Sequence, residues 1–453
     1  MSELVSSRSA RSYSISGGST FPEERPSDPT LPSKPPELTL EEEADDDDNN
    51  VDNQPPPTVQ PALSSPRFVP PKLFVPSESD RESKSRDSSR PTSPPRKESV
   101  VPNSSLRIPQ LCSPGLFAPL PSIDPLSSLL TKYIPSSQRP YRDIEGRYEG
   151  VEITQLVKAG SWRALARLAR DVTVSTDPEN VDLIFEMHHL RQLSLLSLHL
   201  HSQHVHELHL LFAALAHLPP GVRARLSVPF SLELMFAKKR GLGELTRLLA
   251  RCRSGAQSSG AESGLWRERV GWVGGALAGA LIEAGDLNSA ITLLLPLTSP
   301  SQTPPIYLLG ALLRLQLAIG NLPSAKRTMD QIESREDGEE REKKEARAIW
   351  EVGNRNWEGA EKTLAEAEGG VAANARSIVH LFQNRPEEAI ETLERAIELN
   401  PSEALVEPLI FNLATLYELR FDSEIASKKK VELLIKTTKF ASDGLKPACL
   451  KLS

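Results

Sequence analysis

Apolar residues recur at helical spacing along the second two-thirds of the chain. The clearest stretch runs from Pro386 to Pro401, where Ala389, Ile390, Leu393, Ala396 and Ile397 fall on one face of a 3.6-residue turn. Pro386 suits a first helical turn, which has no use for its missing N–H, and Asn400 and Pro401 supply a stop. Ala389 is small, as a position must be where two paired helices cross closely, and the bulky Leu393 follows four residues later. A lone helix of this kind cannot bury its stripe, so the pattern predicts neighbours of the same kind.

Ala290, Ala325, Ala360 and Ala426 occupy the equivalent place, at intervals of 35, 35, 29 and 37 residues around Ala389. These scatter around the 34-residue period of the tetratricopeptide repeat (TPR). Each small residue follows a turn (EAGDLNSA, AIGNLPSA, GNRNWEGA, FQNRPEEA), and Leu294, Met329 and Leu364 fill the bulky position four residues on. Gly285 and Gly320 suit the left-handed conformation that ends a helix. Further upstream, Gly160 marks a turn and Trp162 an aromatic position, but Leu165 stands where a small residue is expected, as in a degenerate terminal unit. The expected fold is all-α: a TPR-like α-solenoid of helical hairpins over 147–453.

Composition divides the chain. Residues 1–140 hold 25 of the 38 prolines and no tryptophan, with an acidic run from Glu41 to Asp48. A segment so poor in buriable apolar surface is expected to be disordered over 1–122. Its Ser-Pro pairs (Ser65, Ser93, Ser113) are plausible phosphorylation positions, and the acidic run reads as a solubilising spacer. Between tail and solenoid, residues 123–146 carry a short amphipathic helix and linker. Asp124 caps it, Pro125 opens it, and Leu126, Leu129, Leu130, Tyr133 and Ile134 share one face. Too short to stand alone, it docks either on the chain's own solenoid or in a partner's groove. Arg253 to Ser263 reads as a loop.

Charge and chemistry narrow the function. A net charge of −7 disfavours nucleic acid as a partner. Three widely spaced cysteines without CxxC spacing fit a reducing compartment. The N-terminus lacks an apolar signal core, and the longest greasy stretch, Trp272 to Ile282, is too short to span a bilayer, so no membrane insertion is expected. Eight of the nine histidines lie between His188 and His217, with pairs three residues apart, yet no HExxH or thiol cluster supports a metal. Gly271, Gly275 and Gly279 suit close helix packing rather than a nucleotide loop. No catalytic, cofactor-binding or metal-ligating residue is assigned, and no cofactor is expected. The positions that grip a carboxylate tail in chaperone adaptors hold one asparagine (Asn374) and no lysine, which disfavours that role.

Four stretches in order, SVPFSLELMFAKKRG (227–241), LWRERVG (265–271), FNLATLYEL (411–419) followed by KKK (428–430), and CLKLS (449–453), resemble the family of the twelfth subunit of the trafficking protein particle (TRAPP), a vesicle-tethering complex. The resemblance implies a non-catalytic subunit of the TRAPP III-type assembly, in ER-to-Golgi transport and autophagy. It would hold the large accessory subunits eight and eleven of a complex that exchanges nucleotide on a Rab GTPase. It implies a cytoplasmic protein, peripheral to early secretory membranes. Phe230, Trp266, Tyr417, Cys449, Leu450 and Leu452 are the candidate contact or capping residues within the matching stretches. The alternative is a generic TPR scaffold in another complex, such as a coat or cell-cycle assembly.

Overall fold

The structure, a computed structural model, describes residues 106–258, 263–299, 304–335, 340–365, 367 and 369–452. The expected disordered tail lies outside the described residues up to 105. Every regular element among the described residues is a helix. A short helix α1 (Pro125–Tyr133) precedes the hairpins α2–α3 (Ile153–Ala159, Trp162–Ser175) and α4–α5 (Val181–Ser197, His201–Ala216). A brief α6 (Pro220–Arg225) leads to α7 (Phe230–Arg240) and α8 (Leu242–Gln257). Then come three regular hairpins: α9–α10 (Ser263–Glu283, Leu287–Leu297), α11–α12 (Ile306–Ala318, Leu322–Glu333) and α13–α14 (Glu340–Gly353, Trp357–Ala365). The last pairs are α15–α16 (Gly370–Phe382, Pro386–Leu399) and, after the single-turn α17 (Pro401–Ala404), α18–α19 (Glu407–Arg420, Ser423–Thr438). The all-α solenoid of helical hairpins expected from the periodicity is the architecture observed.

One local device makes six of these turns. Gly160, His199, Gly285, Gly320, Arg355 and Asn384 all have positive φ, between 57° and 81°. At each, two backbone N–H groups return to carbonyls of the last helical turn, as Gly285 to Ile282 and Asp286 to Leu281. This is the Schellman arrangement, which satisfies carbonyls a helix end would otherwise leave open. Asp286, Asn321 and Asn356 then accept from the backbone N–H three residues on and start the second helix of each hairpin.

Five residues after the turn stands the close-crossing position. Ala290, Ala325, Ala360 and Ala389 are there fully buried; Ala426, which follows the extended Phe421 instead of such a turn, is nearly so. A larger side chain at such a place overpacks, at a cost of roughly 1–3 kcal/mol. Leu294, Met329, Leu364 and Leu393 are buried one turn later and supply the apolar area that holds each pair. The same count from Gly160 and His199 lands on Leu165 and His204, both buried. The early hairpins therefore keep the turn and change the residue at the crossing.

Two boundaries differ from expectation. Residues 106–118 are not part of a disordered tail: Leu106, Ile108 and Leu111 are buried with Leu208, Leu211 and Leu232 of α5 and α7. Three apolar residues spaced around Pro109 suffice because a groove receives them. Arg191 and Glu207, each about 1% exposed, form a two-pronged ion pair at 2.6 and 3.0 Å. The Arg191 guanidinium also donates to the Ala118 carbonyl, and the Ala118 N–H donates to Glu207. The expected loop at Arg253 is helical as far as Gln257, because Cys252 is buried and Gly255 lies against the Trp266 ring.

The first and last hairpins touch. Helix α1 docks on the chain's own helices, with Leu126 and Leu130 in the same cluster as Leu433, Leu434 and Leu450. Arg142 bonds Asp124 at 2.7 Å and also donates to the carbonyls of Thr438 and Ala441. Asp443 accepts from the Arg163 N–H at 2.9 Å, and its own N–H donates to Gly160. A side chain at Gly444 would run into the Ser197 carbonyl, so only glycine lets the C-terminal strand of chain pass there.

Candidate interaction surfaces

The six residues named from the sequence fall in two separate places. Phe230 is buried and Trp266 half-buried in the cluster formed by α7, α8 and α9, with the Arg269 guanidinium stacked between their rings. Tyr417, Cys449, Leu450 and Leu452 meet in the cluster at the C-terminal end. Tyr417 donates to Glu394 at 2.7 Å, and burial together with that carboxylate pushes its phenol well above the usual range. Cys449 is pushed up to about 12 by burial and by Glu407. Phe230, Tyr417, Cys449 and Leu450 are buried among the described residues, the arrangement a capping or packing role requires. They hold the core because their aromatic or apolar bodies are worth more buried than exposed.

The apolar side chains that do face solvent lie elsewhere. Phe382 is 63% exposed and stacks face to face on Trp357 of the preceding hairpin at 4.7 Å. Leu419 is 65% exposed, and Ile319 and Leu322 are exposed as well. All four exposed residues stand at or beside the turns between paired helices. Val371 on α15 and Phe411 on α18 are exposed as well, and an Asn412–Asn374 hydrogen bond of 2.8 Å joins these two helices. Sequence reasoning missed these because an exposed aromatic and a buried one follow the same helical period. The signal available was position: Phe382 and Leu419 each sit seven residues before a close-crossing alanine.

The histidines do not converge. His188 stacks on Phe117 and bonds the Leu111 carbonyl, His199 pairs with Glu407, and His209 packs edge-on against Phe236. Among the described residues no three His, Cys, Asp or Glu side chains are placed to share a metal. No described helix is long and apolar enough to cross a membrane. His188 and His204 are instead held down at about 4, chiefly by burial, with Arg191 near the first and Lys239 and His201 near the second. Neither His204 ring nitrogen makes a well-formed hydrogen bond, nor does the Gln192 amide beside it on α4. An unfolded histidine protonates below about pH 6.5, whereas these remain neutral in the fold, so stability falls as pH drops from about 6.5 toward 4. Replacing His204 with Ala, the residue used by the regular hairpins, should remove roughly 1–2 kcal/mol of that loss at pH 5. Urea unfolding at pH 7 and pH 5 reads this out; an unchanged difference between the two pH values would contradict it.

Fold and surface define the class, an all-α solenoid of helix hairpins with exposed apolar positions at its turns. No family model matches the chain. Its sequence is similar to that of trafficking protein particle complex subunit 12 from Mus musculus, 27% identical over 275 residues, covering 52% of this chain and 34% of that protein. The Homo sapiens protein of the same name is 26% identical over 275 residues, covering 52% of this chain and 37% of its own length. The chain thus spans little more than a third of the length of the curated relatives it matches.

Proposed function

We propose that this chain is a non-catalytic, TPR-type subunit of a trafficking protein particle complex. The observation that carries the reading is the coincidence of two facts. The chain is similar to two proteins named as subunit 12 of that complex. Its structure is a run of stacked hairpins with solvent-facing apolar side chains at the turns. Extended stacks of this kind recognise other proteins over a large area, with a few aromatic or bulky residues providing most of the binding. The thiols of Cys112, Cys252 and Cys449 are raised above their ordinary range, chiefly by burial, which suits packing rather than nucleophilic chemistry.

In this reading the chain works in the TRAPP III-type assembly, in ER-to-Golgi transport and autophagy, and holds the large accessory subunits eight and eleven. Its link to a Rab GTPase is indirect, through the exchange activity of the whole complex. It acts from the cytoplasm, peripheral to early secretory membranes. The contact residues are Phe382 and Leu419, not the buried aromatics. The double substitution Phe382→Asp, Leu419→Asp alters exposed positions and removes the Phe382–Trp357 stack, so stability should fall only by the roughly 0.5–1.5 kcal/mol that such a pair contributes. Recovery of the accessory subunits with the tagged chain should fall about 10-fold or more. Undiminished recovery would remove these turns from the interface. Deleting the C-terminal residues is a poorer test, because Leu450 is fully buried and its loss disturbs the last hairpin itself.

A further inference from the structure

Charge is spread unevenly over this acidic chain. Residues 219–257, which form α6, α7 and α8, carry eight Lys and Arg and only two Glu, although the whole chain has a net charge of −7. All eight cations are exposed. The two carboxylates are matched one for one, Glu233 by Arg251 and Glu244 by Arg247. Lys238, Lys239 and Arg240 fill the last turn of α7, and α8 starts at Leu242 without a side-chain cap. Cations in a last helical turn complement its dipole, but these crowd one another. Partial burial and the Lys238 charge hold the Lys239 ammonium below its ordinary range, and the Glu283 carboxylate at the end of α9 offsets only part of this. Burial, with Lys239 next, likewise depresses His201 and His204 on α5.

The same turn has a cavity and an apolar tip. An open cavity of about 400 Å³ is lined by His209, Lys239, Arg240, Gly243, Glu244 and Arg247. Leu242 is 40% exposed between Gly241 and Gly243, and a Cβ at either glycine would meet nothing within 4 Å, so the tip stands clear of the rest of the fold. We propose that this turn docks on an anionic membrane surface, with Leu242 in the interfacial layer and Lys239, Arg240 and the cavity on a lipid headgroup phosphate. Basic side chains are drawn to such a surface, and an inserted leucine adds an attraction that salt does not screen. An acidic protein segment would be matched by the cations alone, whereas a bilayer interface also takes the exposed leucine. The inference rests on the reading of the chain as peripheral to early secretory membranes and names the surface that meets them.

The test is co-sedimentation of the purified full chain with vesicles of phosphatidylcholine, alone or mixed with phosphatidylserine. The chain should bind the mixed vesicles and not the neutral ones, and added salt should weaken binding. Lys239→Gln with Arg240→Gln should lower the affinity about 25-fold, roughly 5-fold for each cation, and flatten the salt dependence. Leu242→Ser should lower the affinity and leave the salt dependence unchanged. Arg251→Gln with Arg253→Gln, toward the other end of α8, should leave binding nearly unaltered. Melting temperatures check that each variant folds, and the comparison of the two vesicles needs no variant. Equal binding of the unaltered chain to both vesicles would overturn the proposal, as would full binding by the Lys239, Arg240 variant. An equal loss in the Arg251, Arg253 variant would also overturn it, because the attraction would then be one of overall charge. Where the mixed vesicles fail to bind, inorganic phosphate and poly-glutamate, each tried on the parent and the Lys239, Arg240 variant, show whether the cavity serves a dissolved anion or an acidic protein segment instead. None of these results depends on which subunits the chain joins, so failure here leaves that assignment standing.

Discussion

Glu207→Ala should cost about 3–5 kcal/mol, the largest effect expected of any single substitution in this chain. The carboxylate bonds two nitrogens of Arg191 inside the α4–α5 hairpin, and both side chains are about 1% exposed. Truncating it leaves a guanidinium without a counter-charge in a site closed to water, and such a cation cannot shed its proton to escape. Arg191 would retain bonds to the carbonyls of Ala166 and Ala118, which satisfy some of its N–H groups but not its charge. The loss should be local. Glu207 also accepts from the Ala118 N–H, and the Phe117 ring lies between His188 and the Arg191 guanidinium. The arm 106–118 should therefore detach first, seen as fast proteolytic cleavage there while α11 to α16 keep their amide protection. Glu207→Gln preserves shape and one acceptor and should cost less. A Glu207→Ala chain as stable as the parent, with the arm still protected, would show that the pair does not hold this hairpin.

Arg142→Ala comes next, at about 3 kcal/mol. Arg142 joins segments some three hundred residues apart: Asp124 before α1, and the carbonyls of Thr438 at the end of α19 and Ala441 just after it. Burial alone would raise the Asp124 carboxyl. The charge and hydrogen bond of Arg142, aided by Ser127, outweigh that and hold it below the ordinary range. The pair consequently contributes stability above the unfolded carboxyl's pKa, near 4, and loses it as pH falls through the lower folded value. The difference between parent and variant should be full at neutral pH and shrink below about pH 4. Hydrogen exchange of α1 and α19 checks the structural half of this; unchanged protection of both helices in the variant would show that the ends are held by apolar contact alone.

What the sequence made legible was local. The alanine at the crossing, the Asp or Asn before it, and the glycine before that are three physical requirements in a row: close approach, an N-cap and a left-handed turn. Where all three coincide, as at Gly285 to Ala290, the hairpin is plain from the letters. Where the chain meets a requirement with another residue, the signal fades. His199, Arg355 and Asn384 adopt the turn without glycine, and His204 takes the crossing without being small. The packed arm at 106–118 was hidden for a different reason. Its two prolines and its place after a long Pro- and Ser-rich tail make it look like a segment that cannot bury itself, and indeed it does not. It is buried by a groove whose ion pair comes from helices nearly a hundred residues on. The junction of first and last hairpins was invisible because no period or spacing links Arg142 to Thr438. Candidate contact residues suffered most, since helical periodicity separates the two faces of a helix but does not say which aromatic lies at an uncovered turn.

The measurement to make first is affinity purification of the tagged chain from its own cells, with the co-purifying proteins identified and quantified by mass spectrometry. Recovery of the trafficking-particle core together with both large accessory subunits, in near-equal amounts, is the expected result. Recovery of a different assembly without any of those subunits would leave the hairpin solenoid standing and contradict its assignment to that complex.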